Sequence, residues 1–208
     1  LATAKGMKVQ RVAGSDRFGT NLEILKTAGN YAGKPVLIAT ATGFADSLSA
    51  SATGLPILLV WSESGKLTDS QSAYLTTLNN PFCIIGGKNA VSAKLENALA
   101  SYGHTERLAG GNRFETSVLV AERYFDSPKT AVLAYAWNYP DGLCGGSLAF
   151  SMNAPLILTM TKYESQAADY IQGQGIKTGV VLGGTSLISN GSVQKIFSLV
   201  SADNIGQK

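Results

Sequence analysis

The feature of this sequence that most restricts its fold is an internal repeat. The stretch 11–20 recurs at 107–116 as the pattern Arg-x-Ala-Gly-x-(Asp or Asn)-Arg-Phe-x-Thr, 96 residues further along the chain. Four more matches follow in the same order: 36–40 with 132–136, 44–48 with 139–143, 56–59 with 155–158, and 84–87 with 181–184. Five matches in one order indicate two copies of one folding unit. We therefore predict a first repeat at 1–105 and a second at 106–208.

Each copy alternates short apolar runs with helical patterns. In the first copy the predicted strands are 8–13, 35–40, 56–61 and 82–86, and the predicted helices are 16–28, 44–53, 68–78 and 92–101. Strands that are apolar throughout are typical of parallel sheets covered on both faces, and the helices supply the crossover connections. The predicted fold class is α/β, with two tandem small three-layer units that carry helices on both faces of a parallel sheet.

One spacing differs between the copies. Asp46 and Pro56 are ten residues apart, whereas Asp141 and Pro155 are fourteen apart. The difference predicts that the first copy lacks about one helical turn between these strands.

Composition excludes several classes of protein. Hydrophobic residues make up 45% of the chain and charged residues 15%, which predicts a folded core. The net charge of +3 is spread without a basic block, which argues against nucleic-acid binding. No apolar stretch approaches the roughly 20 residues of a membrane span. Residues 1–8 lack the apolar core of a signal peptide, so the protein is either cytosolic or has lost a leader.

The residues that usually bind metals are scarce. Cys83 and Cys144 are not at the spacing of metal ligands, and His104 is the only histidine. We predict that Cys83 is a buried small apolar residue in a strand, that the two cysteines are not paired, and that the chain needs no metal and no cofactor.

The repeated motifs resemble those of the cell wall binding repeat 2 family of Gram-positive bacteria. The resemblance lies in Arg-x-Ala-Gly-x-Asp-Arg-Phe-x-Thr at 11–20, in Phe-Ala-Asp-x-Leu-Ser at 44–49 and in Gly-Gly-x-x-Ala-Val-Ser at 86–92, and it extends from about Lys8 to Ser201. It implies an extracellular, non-catalytic module that attaches surface-layer proteins, amidases and adhesins non-covalently to anionic secondary wall polymers. It also implies a flavodoxin-like or Toprim-like α/β fold for each repeat.

Two features depart from the family's pattern. Family arrays commonly carry three repeats around an approximate threefold axis, whereas two repeats are present here. The second copy also has Asn112 where the first has Asp16, and the altered segment 139–142. If Asp16 contacts ligand, the site in the second copy is expected to differ in strength.

The first motif contains candidate binding residues in both copies. Asp16 and Asn112 lie where a Gly turn meets a helix, so they are predicted to cap that helix and are also candidates for ligand binding. Arg17 and Arg113 follow at the first helical position, which disfavours positive charge. Such a placement suggests a specific partner, either a carboxylate such as Asp46 or Asp141, or a phosphate of the ligand.

The glycine pairs form a second group of candidates. The pairs are Gly86 with Gly87 and Gly183 with Gly184, and each lies between a predicted strand and a predicted helix. They could form tight turns alone, or they could bind an anion at the start of the helix, with Lys88 beside the first pair.

The third candidate is aromatic. Tyr135, Trp137 and Tyr139 alternate near the end of a strand in the second copy. Trp137 is either a flat surface for a sugar ring or a packing residue.

These observations leave three functions open. The first is anchoring to an anionic wall glycopolymer, either teichoic-acid-like or a phosphate-bearing polysaccharide. The second is a structural module that joins further repeats or further copies of the chain. The third is a Toprim-like metal-dependent hydrolase, which is disfavoured because the acids Asp46 and Asp141 are single and belong to different repeats.

Overall fold

The chain folds into two parallel β-sheets flanked by helices, so the predicted α/β class is confirmed. The computed structural model describes residues 8–29 and 31–198, and the leader prediction for the first residues therefore falls almost wholly outside the described part. The strands are β1 (Val36–Thr40), β2 (Ile57–Val60), β3 (Phe82–Ile85), β4 (Thr105–Leu108), β5 (Thr130–Tyr135), β6 (Leu156–Thr159) and β7 (Thr178–Val181). In the described part the first sheet has the order β2-β1-β3-β4 and the second has the order β6-β5-β7.

The helices fall where the sequence predicts them. They are α1 (Arg17–Ala28), α2 (Ala45–Ser51), α3 (Asp69–Leu75), α4 (Ala93–Ala100), α5 (Arg113–Tyr124), α6 (Gly145–Ser151), α7 (Ser165–Gly173) and α8 (Asn190–Phe197). Side-chain caps fix several of their starts. Thr68 and Gln71 form a capping box at α3, and Ser92 and Ser189 cap α4 and α8.

Each sheet has an apolar core on one face. In the first repeat this core joins α1, α3 and α4 to β1, β2 and β3 through residues such as Leu22, Ile38 and Leu99. In the second repeat α7 and α8 cover the equivalent face through residues such as Ile171 and Ile196. These helices form one outer layer of each predicted three-layer unit.

The opposite faces of the sheets join the two repeats. Val120 of α5, in the second repeat, packs against Leu37 and Cys83 of the first sheet. Conversely, Leu48 of α2 packs with Phe114 of α5 and the second sheet. Cys83 is buried as predicted, and both Cys83 and Cys144 are free. A helix of the second repeat thus covers part of the opposite face of the first sheet.

The strand β4 lies across the predicted boundary at 105/106. It follows α4 in sequence and pairs in parallel with β3, from Phe82 with Thr105 to Ile85 with Leu108. The first sheet therefore uses a strand that begins the second copy of the motif. The division of the chain into 1–105 and 106–208 stays a prediction.

Three detailed predictions are wrong. The stretch 8–13 is not a strand, since it has no sheet beside it in the described part. In addition, α2 and α6 have seven residues each, and the extra residues of the second copy form successive turns at 140–144 before α6. Finally, the equivalent of Val36 is Ala131, one residue before the residue that the sequence match suggests, because the core-facing Ile38 corresponds to Leu133.

Candidate ligand-binding site

The side chains of Asp16 and Asn112 cap helices, as predicted. Asp16 Oδ1 accepts a hydrogen bond from the amide of Gly19 at 2.7 Å. Asn112 Oδ1 accepts from the amides of Phe114 and Glu115, both at 3.0 Å, and its Nδ2 donates to the Glu115 carboxylate at 2.8 Å. Because both side chains are exposed, contact with a ligand stays a prediction for each.

Arg17 and Arg113 are fixed by backbone carbonyls. Arg17 Nη1 donates to the carbonyl oxygen of Ala41 at 3.0 Å, and Arg113 Nη1 donates to that of Ala136 at 2.7 Å. Each carbonyl belongs to the residue that directly follows an inner strand, β1 or β5. Of the two predicted kinds of partner, the carboxylate is wrong, because neither arginine has a carboxylate within 4.0 Å in the described part of the chain. The ligand phosphate stays a prediction. The helix dipole disfavours a positive charge at a helix start, and the hydrogen bond to the carbonyl offsets this cost for each arginine.

Aromatic rings surround the Arg113 guanidinium. Its Cζ atom lies 4.2 Å from the centroid of the Trp137 ring and 5.7 Å from that of Phe44. Phe44 belongs to the first repeat, so this arrangement spans the junction of the two repeats. A guanidinium that stacks on rings and donates one hydrogen bond keeps other N–H groups for an anion.

Phe44 is a residue of this site that the sequence did not indicate. Its place in the repeated segment 44–48 was the sequence feature that could have drawn attention to it. The sequence could not show that a residue of one repeat reaches an arginine of the other.

The first glycine of each pair has a backbone conformation that favours glycine. Gly86 has φ of 108° and Gly183 has φ of 101°. The carboxylates of Asp46 and Asp141 fill the space where a Cβ on Gly86 or Gly183 would lie. The tight-turn prediction is therefore confirmed for these two positions.

The other predicted residues of the turns have free space around them. A Cβ on Gly87 would meet no atom within 4 Å, a Cβ on Gly184 would meet only the Ser186 hydroxyl at 3.9 Å, and Lys88 is exposed. The carboxylate beside each turn repels a second anion there. Binding of an anion by these turns stays a prediction, and the arginines are the better-placed cations.

Burial changes the acidity of Asp46. Desolvation raises the pKa of this carboxyl group from 3.8 to about 6, and the nearby positive charge of Arg113 opposes the rise. Near neutral pH the ionised carboxylate offsets part of the Arg113 charge. The junction thus contains a cation and a titratable acid from different repeats.

An open pocket of about 290 Å³ adjoins the aromatic cluster and takes its lining from both repeats. The lining residues are Phe44, Ser47, Leu48, Ser51, Tyr139 and Leu143. Trp137 is 53% exposed and Tyr139 is 50% exposed, and the Tyr139 ring lies 5.7 Å from that of Phe44. The strand β5 ends at Tyr135, so Trp137 and Tyr139 lie on the loop that follows it.

Two kinds of site are absent from the described residues. They contain no cluster of three or more histidine, cysteine or acidic side chains suited to a metal ion. No helix among them is long and apolar enough to cross a membrane.

Comparison with known proteins identifies the repeats. The family model for cell wall binding domain 2 matches residues 11–96 and again residues 107–194. The chain belongs to the cell wall binding domain 2 family. This family accounts for the two copies of the motif, and it supports binding to the cell wall as the function of the chain.

Similar proteins of known sequence come from Bacillus subtilis. The chain is 31% identical to N-acetylmuramoyl-L-alanine amidase LytC over 195 residues, which cover 91% of this chain and 39% of the amidase. It is 29% identical to the protein named amidase enhancer over 153 residues, which cover 72% of this chain and 20% of that protein. The chain therefore spans less than half of either relative.

Solved structures of similar fold come from Clostridium difficile. Cwp6 matches with a TM-score of 0.79 and 25% identity, and Cwp8 matches with a TM-score of 0.76 and 28% identity. Each match covers 93% of this chain and 34% of the other. The arrangement of the two cell wall binding domain 2 repeats thus has counterparts in known structures.

Proposed function

We propose that this chain is a non-catalytic module that anchors a larger secreted protein to the cell wall by binding an anionic, phosphate-bearing wall polymer. The observation that carries the proposal is the placement of Arg17 and Arg113. Each repeat holds one arginine at the carboxyl end of its sheet, bound to a carbonyl and without a carboxylate partner in the described part of the chain. A fixed guanidinium with unused donors suits a phosphate group.

The aromatic rings at the junction suit the sugar or polyol part of such a polymer. Trp137 and Tyr139 are half exposed beside Arg113, and flat rings present good surfaces to the C–H groups of sugars. A phosphate on Arg113 and a sugar on the neighbouring rings would use both chemical parts of a repeating glycopolymer. The net charge of +3 is not concentrated in a basic block, so individually placed groups such as these must provide the selectivity for the polymer.

The relatives support the role of an attached module. The chain covers 39% of an amidase and 20% of an amidase enhancer, so in both relatives a similar segment accompanies a longer stretch of other sequence. We place this chain at the wall of a Gram-positive bacterium, where it anchors an effector domain that lies in a further stretch of the same protein. The effector's chemistry would then reside outside the two repeats.

Co-sedimentation with purified walls of Bacillus subtilis tests the proposal. Walls are compared before and after extraction of their phosphate-containing polymers, over a salt series. We expect binding to intact walls that weakens as salt rises and disappears after extraction, because screening weakens exposed charge interactions. Binding that is equal on extracted walls would contradict the proposal and indicate peptidoglycan as the partner.

A further inference from the structure

The carboxylate of Asp46 lies at the junction of the two repeats without a bonded partner. No hydrogen bond reaches it from a described residue, and no lysine or arginine nitrogen of the described part lies within 4.0 Å of it. The helix α2 places it against the turn at Gly86, where Asp46 is half-buried. A carboxylate that loses hydration without gaining a hydrogen-bond donor is costly to keep ionised.

Arg113 of the second repeat is the charge that acts on this carboxylate. Burial raises the pKa of Asp46, and the positive charge of Arg113 opposes the rise. The Arg113 guanidinium donates from Nη1 to the carbonyl of Ala136 and stacks on Trp137. Its other N–H groups make no hydrogen bond with a described residue. A phosphate that binds these N–H groups therefore comes under the electrostatic influence of Asp46.

Few other ionisable side chains surround α2. The elements that pack against it are β1, β2, β3, β6, α5 and α6, and of these β1, β2, β6 and α6 contain no ionisable side chain. Those on β3 and α5 are Cys83, Arg113, Glu115, Glu122, Arg123 and Tyr124, and the adjoining turns add Lys88, Tyr139 and Asp141.

Several of these neighbouring groups are neutral or already paired. Burial raises the pKa of the Cys83 thiol to about 11, so the thiol is uncharged near neutral pH. The Glu115 carboxylate accepts hydrogen bonds at the start of its own helix. Arg107 approaches the Gly86 turn from β4, but it pairs with Glu96 at 2.9 Å. Asp46 is therefore the half-buried, unpaired acid that opposes an anion on Arg113.

We propose that Asp46 competes with the phosphate of the wall polymer for Arg113, so that wall binding strengthens when this carboxylate takes up a proton. The inference rests on the proposed function, because it concerns the same arginine. Ionised Asp46 repels a second anion at Arg113, whereas protonated Asp46 does not. Repulsion between two anions at such a site corresponds to about three- to tenfold in affinity at low salt.

The direction and the range of the effect follow from the ionisation of Asp46. Its pKa in the folded chain is about 6, so its charge changes mainly between about pH 5 and 7. Affinity for the wall polymer should therefore fall as pH rises through this range. Linkage requires the reverse effect as well, so bound polymer should raise the pKa of Asp46 further.

Co-sedimentation of wild type and Asp46→Asn with purified Bacillus subtilis walls tests the proposal. Intact and polymer-extracted walls are compared from about pH 5 to about pH 8, at low and constant ionic strength. Asparagine has the size of the protonated acid and no charge. We expect equal affinity of the two proteins near pH 5 and about three- to tenfold tighter binding by Asp46→Asn near pH 8.

Two features of the experiment isolate Asp46. The charges of the walls change with pH for both proteins alike, so the ratio of the two affinities reports on Asp46. The only histidine, His104, lies at the other end of β3 from Gly86, and its effect would appear in both proteins. Asp69→Asn, which removes an exposed acid from the first turn of α3, is the matched control and should follow the wild type.

The possible failures are distinguishable. Polymer-dependent binding with a constant ratio of wild-type to Asp46→Asn affinity at every pH would overturn this inference and leave the proposed function standing. Weaker binding by folded Asp46→Asn near pH 8 would also overturn it, because the carboxylate would then contact a donor of the ligand. Absence of polymer-dependent binding by either protein at every pH would contradict the proposed function and the inference with it.

Discussion

The carboxylate of Asp46 lies against Gly86, the first glycine of the turn that follows β3. It occupies the space that a Cβ on Gly86 would need, and Gly86 has φ of 108°. Asp141 and Gly183 have the same relationship in the second repeat, with φ of 101° at Gly183. Two motifs about forty residues apart in sequence therefore meet at the carboxyl ends of neighbouring strands, where ligands of open α/β sheets often bind.

Gly86→Ala is predicted to destabilise the chain more than Gly87→Ala. The first change adds a Cβ that overlaps the Asp46 carboxylate at a positive φ, which should lower the free energy of unfolding by about 2–3 kcal/mol. At Gly87 the added Cβ meets no atom within 4 Å, and φ is not positive. Urea denaturation of both variants measures the difference. Equal midpoints would show that the turn tolerates a side chain at either glycine.

Asp46→Asn is predicted to make stability less dependent on pH. Burial raises the pKa of Asp46 from 3.8 to about 6 in the folded chain, so the folded state holds its proton more tightly than the unfolded state does. The resulting stabilisation is complete below the unfolded pKa and is lost as pH rises through the folded pKa. The variant should therefore gain about 1–3 kcal/mol over the wild type near pH 8 and almost nothing near pH 4. A constant difference between the two proteins across this range would contradict the assignment.

Removing a helix cap should lower stability, and wall binding by the folded variants shows whether the cap residue also contacts ligand. Asp16→Ala and Asn112→Ala each remove an acceptor for free amides at a helix start, which should cost about 1 kcal/mol. Asn112→Ser keeps an acceptor and should retain most of the stability. Thermal unfolding and wall co-sedimentation measure the two effects separately. Loss of wall binding by a folded cap variant would instead assign that residue to the ligand.

Much of the fold could be predicted from the sequence because the repeat and the apolar periodicity act locally. The stretches 35–40, 56–61 and 82–86 became β1, β2 and β3 because runs that are apolar throughout are stable only when covered on both faces. The stretch 8–13 has the same motif as β4 but is not a strand, since a strand needs a neighbour and the described part offers none beside it. Local pattern thus predicts an element, and tertiary context decides whether it forms.

The candidate site was less predictable because its residues meet only in three dimensions. The caps at Asp16 and Asn112 are local and were predicted correctly. The predicted partners of Arg113 were a carboxylate or a ligand phosphate, but within the chain the guanidinium binds the Ala136 carbonyl. The rings that surround it include Phe44 of the other repeat. Every residue has a backbone carbonyl, so no sequence pattern could indicate which one binds the arginine.

Trp137→Ala is predicted to weaken wall binding. The change removes the ring on which Arg113 stacks, which is also one of the two exposed rings at the junction. The expected cost is about 1 kcal/mol, or several-fold in affinity. Trp61→Ala removes an indole of similar exposure that stacks on Phe18 in the first repeat, and it serves as the control. Binding curves on intact walls measure both. Unchanged affinity of folded Trp137→Ala would rule out a role for this ring in the site.

The most direct test of the account compares Arg113→Ala with Arg123→Ala by co-sedimentation with intact and polymer-extracted walls at low salt. Both variants lose one positive charge, but Arg123 lies on the exposed side of α5 and pairs with Glu106 at 3.3 Å. We predict that Arg113→Ala loses most of the polymer-dependent binding, that Arg123→Ala retains it, and that neither variant binds extracted walls. If Arg113→Ala binds intact walls as tightly as Arg123→Ala does, the junction arginine is not the anion site and the central claim is wrong.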